Sequence, residues 1–281
     1  MSDVLMLEVA GRPVAEYVVH PDIDPRYSPR PYLHPVRTLA GVEVTDTLPA
    51  DHRWHLGVSV TMQDVSGTNL WGGRTYVRDA GYTWRDDHGR IEHDAWLDRR
   101  PDRFGQRLRW CDPTGATLLT EERVVRARGV AGNERAWRFD IEYTLAAPPA
   151  RDVTLGSPAT NGRPGGAGYG GFFWRLAPGL AHAFTATADG EEAVNGSTEP
   201  WVALTGRSAG GQPYTLVFAG LGDGDHWFVR TGIYPGVCVA LAFVEPLPVP
   251  AGGRIHRHHR VLVADGALTL AEVTAVLPAL G

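Results

Sequence analysis

The sequence predicts an all-β fold, a large antiparallel β-sandwich with one short C-terminal helix, built as a single domain over residues 1–281. Glycine and proline, 34 and 21 residues respectively, divide the chain at short intervals. Between them lie short segments in which apolar and polar residues alternate, as over residues 135–145, and this pattern is typical of strands with one solvated face. No long helical pattern separates these segments, which argues against βαβ units and nucleotide-binding α/β folds.

Each predicted strand is a short alternating or apolar run that ends at a turn signal. Residues 5–8 and 14–19 are predicted to form an opening hairpin, and Asp112-Pro113-Thr114-Gly115 has the residues of a type I turn. The helix is predicted over 269–277, capped by Thr269 and ended by Pro278. A crossover between the two sheets is predicted at 146–150. The other strands are predicted over residues 41–46, 56–62, 91–97, 106–111, 116–126, 135–145, 172–176, 182–187, 201–205, 214–219, 238–244 and 255–263.

Composition and charge exclude several classes of protein. The net charge is −5 and no basic block is present, whereas nucleic-acid binding needs a clustered positive surface. No run of about eighteen apolar residues occurs, so no membrane-spanning helix is predicted. The N-terminus lacks the pattern of a signal peptide, and Cys111 and Cys238 are expected to be buried free thiols. We therefore expect a cytoplasmic protein whose partner is a small molecule.

All 27 basic residues are arginine, because the sequence contains no lysine. This excludes a lysine Schiff base, a pyridoxal-phosphate lysine, a phosphate-loop lysine and a lysine general base. Acid/base or nucleophilic chemistry would therefore depend on histidine, acidic residues, hydroxyl groups, cysteine or a metal. A histidine near its unperturbed pKa can serve as acid or base at neutral pH, which makes histidine the leading candidate.

The first candidate site is the segment 30–57, which is dense in groups that titrate, ligate metals or bind polar ligands. We predict that it forms one wall of a polar pocket, on a loop that enters the strand over 56–62. A carboxylate beside an imidazole sets the tautomer and basicity of the ring, whether the ring is a general base or a metal ligand. The candidate residues of this segment are Arg30, Tyr32, His34, Asp51, His52, Trp54 and His55.

Other histidines and one carboxylate are weaker candidates. If residues 91–97 form a strand, His93 lies on the same face as Ile91 and would reach the same pocket. Glu245, just before a proline at a strand end, is a candidate carboxylate base. The run 256–259 is interpreted as a solvated edge strand in which His259 opposes the other two histidines. No strong zinc motif and no Gly-x-Ser-x-Gly elbow is present.

Residues 156–175 form a glycine-rich segment. Glycine at this density is costly unless the backbone needs positive φ or close approach by a ligand. The spacing is not that of a phosphate loop and no helix follows, so a nucleotide site is rejected. We predict a loop that supplies Arg163, Tyr169 and Arg175 to a polar or anionic ligand, with Trp174 stacking on an apolar sugar face. A second loop, over 222–230, offers Asp225 and His226.

Three motifs resemble those of bacterial proteins labelled methane oxygenase PmoA: Arg-Pro-Tyr-x-His-Pro-Val at 30–36, Pro-x-Asp-His-x-x-His-x-Gly at 49–57 and Gly-Tyr-Gly-Gly-x-Phe-Trp-Arg at 168–175. At the level of the fold, the chain also resembles galactose-mutarotase-like supersandwich proteins. Those proteins bind sugars in a cleft of a large antiparallel sandwich and use histidines with acidic residues for proton transfer. The resemblance implies that His34, His52, His55 and His93 line such a cleft, with Arg30 and Arg175 as ligands of substrate oxygens.

The leading functional hypothesis is an enzyme that acts on a sugar-like or other polyoxygenated small molecule by histidine acid/base chemistry. Isomerisation, elimination and hydrolysis are all left open. One alternative is a divalent-metal enzyme with His34, His52, His55 and His93 as ligands. Two further alternatives are a secondary-metabolism tailoring enzyme that catalyses a cyclisation or rearrangement, and a non-catalytic carbohydrate-binding sandwich. Apart from that metal, no cofactor is predicted.

Overall fold

The computed structural model describes residues 4–232 and 234–281, and almost all of its regular structure is β-strand. The strands, numbered in chain order, are β1 (Val4–Val9), β2 (Arg12–Val18), β3 (Tyr32–Val36), β4 (Val58–Thr61), β5 (Asp64–Val65), β6 (Thr75–Val77), β7 (Gly81–Thr83), β8 (Arg90–Arg100), β9 (Arg103–Cys111), β10 (Thr117–Val130), β11 (Asn133–Ala146), β12 (Val153–Gly156), β13 (Gly171–Arg175), β14 (His182–Phe184), β15 (Trp201–Arg207), β16 (Pro213–Ala219), β17 (His226–Arg230), β18 (Gly236–Ala240), β19 (Leu247–Val249) and β20 (Arg254–Asp265). The helices are α1 (Glu191–Val194) and α2 (Leu270–Val276), with 3₁₀ turns at Pro25–Tyr27 and Leu277–Leu280.

Two large sheets contain most of these strands. One has seven strands in the order β1-β2-β3-β4-β13-β18-β17, and the other has eight in the order β14-β15-β16-β20-β11-β10-β9-β8. Two small sheets, β19-β12-β5 and β6-β7, lie outside them. Neighbouring strands pair antiparallel throughout the described residues.

The two large sheets pack face to face around one apolar core. Phe139 of β11 stacks on Phe172 of β13 with ring centroids 6.2 Å apart, and Trp174 meets Phe139 edge-on at 5.7 Å. The core cluster extends from Leu7 to Val263 along the sequence. The predicted antiparallel β-sandwich is therefore confirmed, while its description as a single domain stays a prediction.

The C-terminal helix begins where the sequence predicts it. The Thr269 side chain accepts a hydrogen bond from the Glu272 backbone N–H, and the Glu272 carboxylate accepts one from the Thr269 backbone N–H, which forms a capping box. The prediction for Pro278 is wrong in detail, since α2 ends at Val276 and the proline lies inside the following 3₁₀ turn. Proline is tolerated there because the first residues of a helix have no N–H partner.

Three other local predictions need correction. Residues 41–46 form isolated bridges and not a strand, and the four-residue helix α1 was not predicted. The run 256–259 does not lie at a sheet edge, because β20 is central between β16 and β11. His259 lies on the face opposite to that of His256 and His258, as predicted, but it is buried, with Nδ1 2.7 Å from the Gly220 carbonyl oxygen. Cys111 and Cys238 are buried free thiols.

The seven-stranded sheet is buried on both faces where β13, β17 and β18 lie side by side. On β13, Phe172 and Trp174 face the sandwich core, whereas Phe173 faces a second apolar cluster with Trp71 and Phe228. This second cluster lies on the outer face of the sheet, and the candidate site is built over it. In the part of the chain that the structure describes, no helix has the length and apolar character needed to cross a bilayer.

Candidate functional site

A cavity of about 500 Å³ opens over the outer face of the seven-stranded sheet. Its walls come from the loop before β4, the segment around β6 and β7, the glycine-rich loop before β13, and the connection from β17 to β18. An apolar lining with a few polar groups is typical of small-molecule sites. The lining residues are Asp51, His52, Trp54, His55, Trp71, Arg74, Tyr82, Trp84, Arg163, Tyr169, Phe173, Phe228, Arg230, Tyr234 and Gly236.

A tight turn brings His52 and His55 to the same side of the chain. The Pro49 carbonyl accepts a hydrogen bond from the His52 backbone N–H at 3.1 Å, and the His52 carbonyl accepts one from the His55 N–H at 2.9 Å. The two imidazole rings have their centroids 4.9 Å apart. In an extended strand, residues three apart point to opposite faces, so the turn is what allows both rings to reach the cavity.

His52 occupies the more open of the two positions. Its Nδ1 lies 3.0 Å from Asp51 Oδ2, in a geometry short of a good hydrogen bond, and its side chain is 27% exposed. Its ring lies 4.6 Å from the Tyr234 ring and 5.0 Å from the Trp54 ring, measured between centroids. Burial raises the pKa of Asp51, but the interaction with His52, a backbone hydrogen bond and the charge of Arg175 together lower it below its usual value. His52 therefore has a carboxylate partner that is ionised at neutral pH.

His55 lies deeper, with its ring packed edge-on against Phe173 at 5.2 Å and Trp71 at 5.9 Å. Burial lowers the pKa of His55 well below its usual value, and the positive charge of Arg175 lowers it further. The imidazole is therefore neutral at pH 7. Its Nδ1 is buried and has no hydrogen-bond partner within residues 4–232 and 234–281.

The glycine-rich loop contributes Arg163 and Tyr169, as the sequence predicts. The Arg163 guanidinium donates a hydrogen bond to the Tyr82 hydroxyl and lies 4.8 Å from the centroid of its ring. The Tyr169 hydroxyl lies 3.0 Å from that of Tyr82, and its ring packs on Trp71 with centroids 4.7 Å apart. Burial raises the pKa of Tyr169 well above its usual value, so the hydroxyl stays protonated and can donate a hydrogen bond.

Arg30 supports the cavity from behind and does not line it. Its guanidinium is buried and donates hydrogen bonds to the Trp71 carbonyl at 3.0 Å, the Trp54 carbonyl at 2.9 Å and the Ser28 carbonyl at 3.1 Å. The predicted contact of Arg30 with substrate is therefore replaced by contacts with backbone. Its side chain fixes the two segments that present Trp54 and Trp71.

Arg175, Trp174 and Tyr32 also lie outside the lining. Arg175 Nη2 lies 3.3 Å from Asp46 Oδ2, and its side chain is 3% exposed. Trp174 points into the sandwich core and donates to the Val44 carbonyl at 3.3 Å, so its predicted stacking on a ligand does not fit this orientation. Side chains alternate along β13, which is why Phe173 takes the cavity side. Tyr32 is buried, and burial raises its pKa.

His34 and His93 do not join the two histidines of the cavity. His34 Nδ1 lies 3.0 Å from Thr45 Oγ1, and His93, on the other large sheet, has Nδ1 2.8 Å from Gln106 Oε1. The four-histidine metal set is therefore not assembled. Among the described residues, no group of three or more histidine, cysteine, aspartate or glutamate side chains is placed to hold a metal ion.

Asp225 and His226 are close in sequence to Phe228 and Arg230 of the cavity lining, but they do not line the cavity themselves. The Asp225 carboxylate accepts two hydrogen bonds from Arg257, at 2.7 and 2.9 Å, which fixes the turn before β17. The His226 ring stacks on Phe243 with centroids 5.1 Å apart, and its Nδ1 lies 3.0 Å from the Gly224 carbonyl oxygen. Glu245, the candidate carboxylate base, is exposed and outside the cavity.

Sequence reasoning missed much of the aromatic and basic lining. A usable signal is the run 71–84, which contains two tryptophans, two tyrosines and two arginines. Gly73 within it has φ of +72°, and a Cβ added there would lie 2.4 Å from Cδ2 of Trp54. A glycine is therefore required for Trp54 to reach its place. The missed residues are Trp71, Arg74, Tyr82, Trp84, Phe173, Phe228, Arg230 and Tyr234.

Comparison with solved structures gives distant similarities. The chain is similar to a heparan sulfate lyase HepC mutant from Pedobacter heparinus, with 11% identity over 64% of this chain and 22% of the other, at a TM-score of 0.29. It is also similar to an alpha-galactosidase from Lactobacillus brevis, with 10% identity over 95% of this chain and 40% of the other, at a TM-score of 0.43. The chain thus spans well under half the length of either protein.

Comparison with curated proteins gave no significant match. A family model, described as a family of unknown function, DUF6807, matches residues 5–277. It carries no methane-oxygenase label, so the resemblance to PmoA-labelled proteins stays a prediction. Since the matched region includes nearly every described element, from β1 to α2, the chain belongs to the DUF6807 family.

Proposed function

We propose that the protein is an enzyme that acts on a sugar-like or other polyoxygenated small molecule in this cavity, with His52 as the group that transfers a proton. The observation that carries the proposal is the position of His52, which combines a carboxylate partner 3.0 Å from Nδ1 with access to the cavity. An imidazole beside a carboxylate is a common arrangement for a general acid or base. Isomerisation, elimination and hydrolysis all fit this arrangement.

The aromatic lining supports a sugar-like ligand. Trp54, Trp71, Trp84 and Tyr234 present ring faces or edges to a space of about 500 Å³. Sugars have apolar faces that pack on such rings, while their hydroxyl groups need hydrogen-bond partners. The hydroxyl groups of Tyr82 and Tyr169 and the arginines supply those partners.

His55 supports the same proposal through a different property. It is held neutral, so it can accept or donate one hydrogen bond without an ionic charge, and its buried Nδ1 has no partner in the described parts of the chain. A substrate hydroxyl is a suitable partner for this atom. We further propose that the protein acts in the cytoplasm, which the two buried free thiols support.

The proposal is tested by turnover of a panel of sugars, keto-sugars and lactones by the wild type and by the His52→Gln variant. We expect His52→Gln to lower kcat by roughly 10²- to 10⁴-fold, the range for a lost acid or base, with the melting temperature unchanged. His256→Gln is the matched control, because His256 is exposed on β20 and outside the cavity.

Two results would contradict the proposal. Equal turnover by His52→Gln and the wild type would remove His52 from the chemistry. Binding of a sugar that raises the melting temperature, with no turnover of any member of the panel, would favour the non-catalytic alternative.

A further inference from the structure

Arg163 faces the cavity without an acidic partner. Its guanidinium is engaged only by the hydroxyl and ring of Tyr82, and no carboxylate lies within ion-pair distance of it in the described parts of the chain. Arginine binds carboxylates through parallel hydrogen bonds from its planar donors. A positively charged donor is therefore left on the wall of a cavity that takes a small molecule.

Arg230 lies in the same cluster and is only partly neutralised. Its Cζ lies 4.3 Å from the centroid of the Phe228 ring, and its Nη1 lies 3.6 Å from Glu191 Oε1. The Glu191 carboxylate is itself hydrogen-bonded to Thr231, through the backbone N–H at 2.7 Å. Burial lowers the pKa of Arg230 despite Glu191, and the nearby charge of Arg163 lowers it further. The guanidinium groups of Arg163 and Arg230 thus repel each other in the partly buried wall of the cavity.

Arginines outnumber carboxylates around the cavity. The guanidinium groups of Arg74, Arg163 and Arg230 are opposed by the carboxylates of Asp51 and Glu191. His55 is neutral and adds nothing to the total. An anionic ligand compensates this positive charge, whereas a neutral ligand leaves it uncompensated.

We propose that the substrate is a sugar acid whose carboxylate binds between Arg163 and Arg230. This rests on the proposed function and deepens it by naming the substrate class. Tyr82 and Tyr169 add one hydroxyl donor beside the guanidinium groups, because the other hydroxyl proton is used in the hydrogen bond between them. The Tyr234 ring joins this cluster to the histidines, because it lies 4.6 Å from the His52 ring. A single monosaccharide therefore presents its carboxylate to the arginines and its ring carbons to His52.

The test is calorimetric binding of glucuronate and galacturonate to the full chain, each paired with its methyl ester. We expect the acid to bind roughly 10- to 100-fold more tightly than its ester, because charge-assisted hydrogen bonds add that much affinity. Arg163→Gln and Arg230→Gln should each reduce the ratio of acid to ester affinity, and in the double variant acid and ester should bind equally. Arg254→Gln, at an exposed position of β20, is the control.

The proposal is overturned if acid and ester bind equally to the wild type, if the double variant keeps the preference, or if no acid binds. Tighter binding of glucose 6-phosphate than of either uronate would also overturn it, since that result assigns a dianion. His52→Gln separates this proposal from the proposed function. If His52→Gln keeps full turnover while the arginine variants lose the acid preference, the function fails and the carboxylate site stands.

Discussion

The rings of His52 and His55 lie 4.9 Å apart, yet only His52 is beside a carboxylate. His55 is surrounded by the rings of Trp71 and Phe173 and is neutral at pH 7. Two imidazoles so close together would repel each other if both were protonated. The arrangement therefore places His52 beside a negative charge and His55 among uncharged rings, where His55 can form an uncharged hydrogen bond.

Asp51→Asn should lower kcat by about 10- to 100-fold, the usual cost of losing the partner of a functional histidine, while KM changes little. The amide keeps the shape of the side chain but removes the negative charge 3.0 Å from Nδ1. Steady-state kinetics on the substrate found in the panel is the measurement. Asp51→Glu should recover part of the loss, and Asp86→Asn, at an exposed position, should behave as the wild type. A change in KM alone would argue that Asp51 contacts the substrate and does not orient His52.

The stability of the protein should fall as the pH drops below about 6.5, in part because of His259. Burial lowers the pKa of His259 to about 3. Between pH 6.5 and pH 3, His259 is therefore protonated in the unfolded chain but neutral in the folded chain. The contribution of the neutral ring to stability is full above this window and is lost as the pH falls through it. From pH 7 to pH 5, His259 alone should reduce the free energy of unfolding by about 2 kcal/mol.

His259→Gln removes this titration, so its stability should depend less on pH even if the variant is less stable at pH 7. Denaturant unfolding at several pH values provides the comparison. The exposed His256 gives the control, His256→Gln, which should keep the wild-type dependence. An equally steep loss in His259→Gln would show that other groups account for the effect, with His55 the first of them.

Arg30→Met should destabilise the fold by about 3 to 5 kcal/mol, because it leaves several buried backbone carbonyls without their charged donor. Ligand affinity should fall as well, since the segments carrying Trp54 and Trp71 lose the hydrogen bonds from Arg30 that hold them together. Unfolding by denaturant measures the first effect and calorimetry the second. Arg12→Met, on the exposed start of β2, should cost less than about 0.5 kcal/mol. Full stability in Arg30→Met would refute this bracing role.

Gly73→Ala should destabilise the protein more than Gly81→Ala, although both glycines have nearly the same φ, +72° and +73°. Both substitutions strain the backbone, but only the Cβ at position 73 collides with Trp54, at 2.4 Å, whereas nothing lies within 4 Å at position 81. The difference between their melting temperatures isolates the collision. Ligand binding should weaken in Gly73→Ala alone. Equal effects of the two would mean that Trp54 moves aside without cost.

The strands were predictable where one face is solvated. On β11, Trp137, Phe139, Ile141 and Tyr143 alternate with polar residues, and the structure buries those four. On β13, apolar residues occupy both faces, so periodicity cannot tell which ring faces the ligand. The sequence therefore points to Trp174 as readily as to Phe173, whereas in the structure it is Phe173 that lies in the cavity.

From the sequence, the histidine turn and the glycine-rich loop can be identified as parts of the site. The sequence does not distinguish the arginines that face the cavity from those that bind other parts of the protein. Arg30 and Arg175 bind backbone or an aspartate, while Arg163 and Arg230 face the cavity. All four are the same residue type, and the sequence alone does not show which of them faces a cavity. The distinction depends on tertiary neighbours, such as the Trp71 carbonyl near Arg30, that lie far away in the sequence.

Because β13 carries the cavity floor on one face and the sandwich core on the other, the floor cannot be redesigned independently of folding. A change at Phe173 acts on ligand contact, while its neighbours Phe172 and Trp174 act on stability. Most of the wall residues lie outside the two large sheets, so changes there disturb the sandwich core less. Directed evolution toward new substrates should therefore accumulate changes in 71–84 and 157–170 and leave β13 untouched.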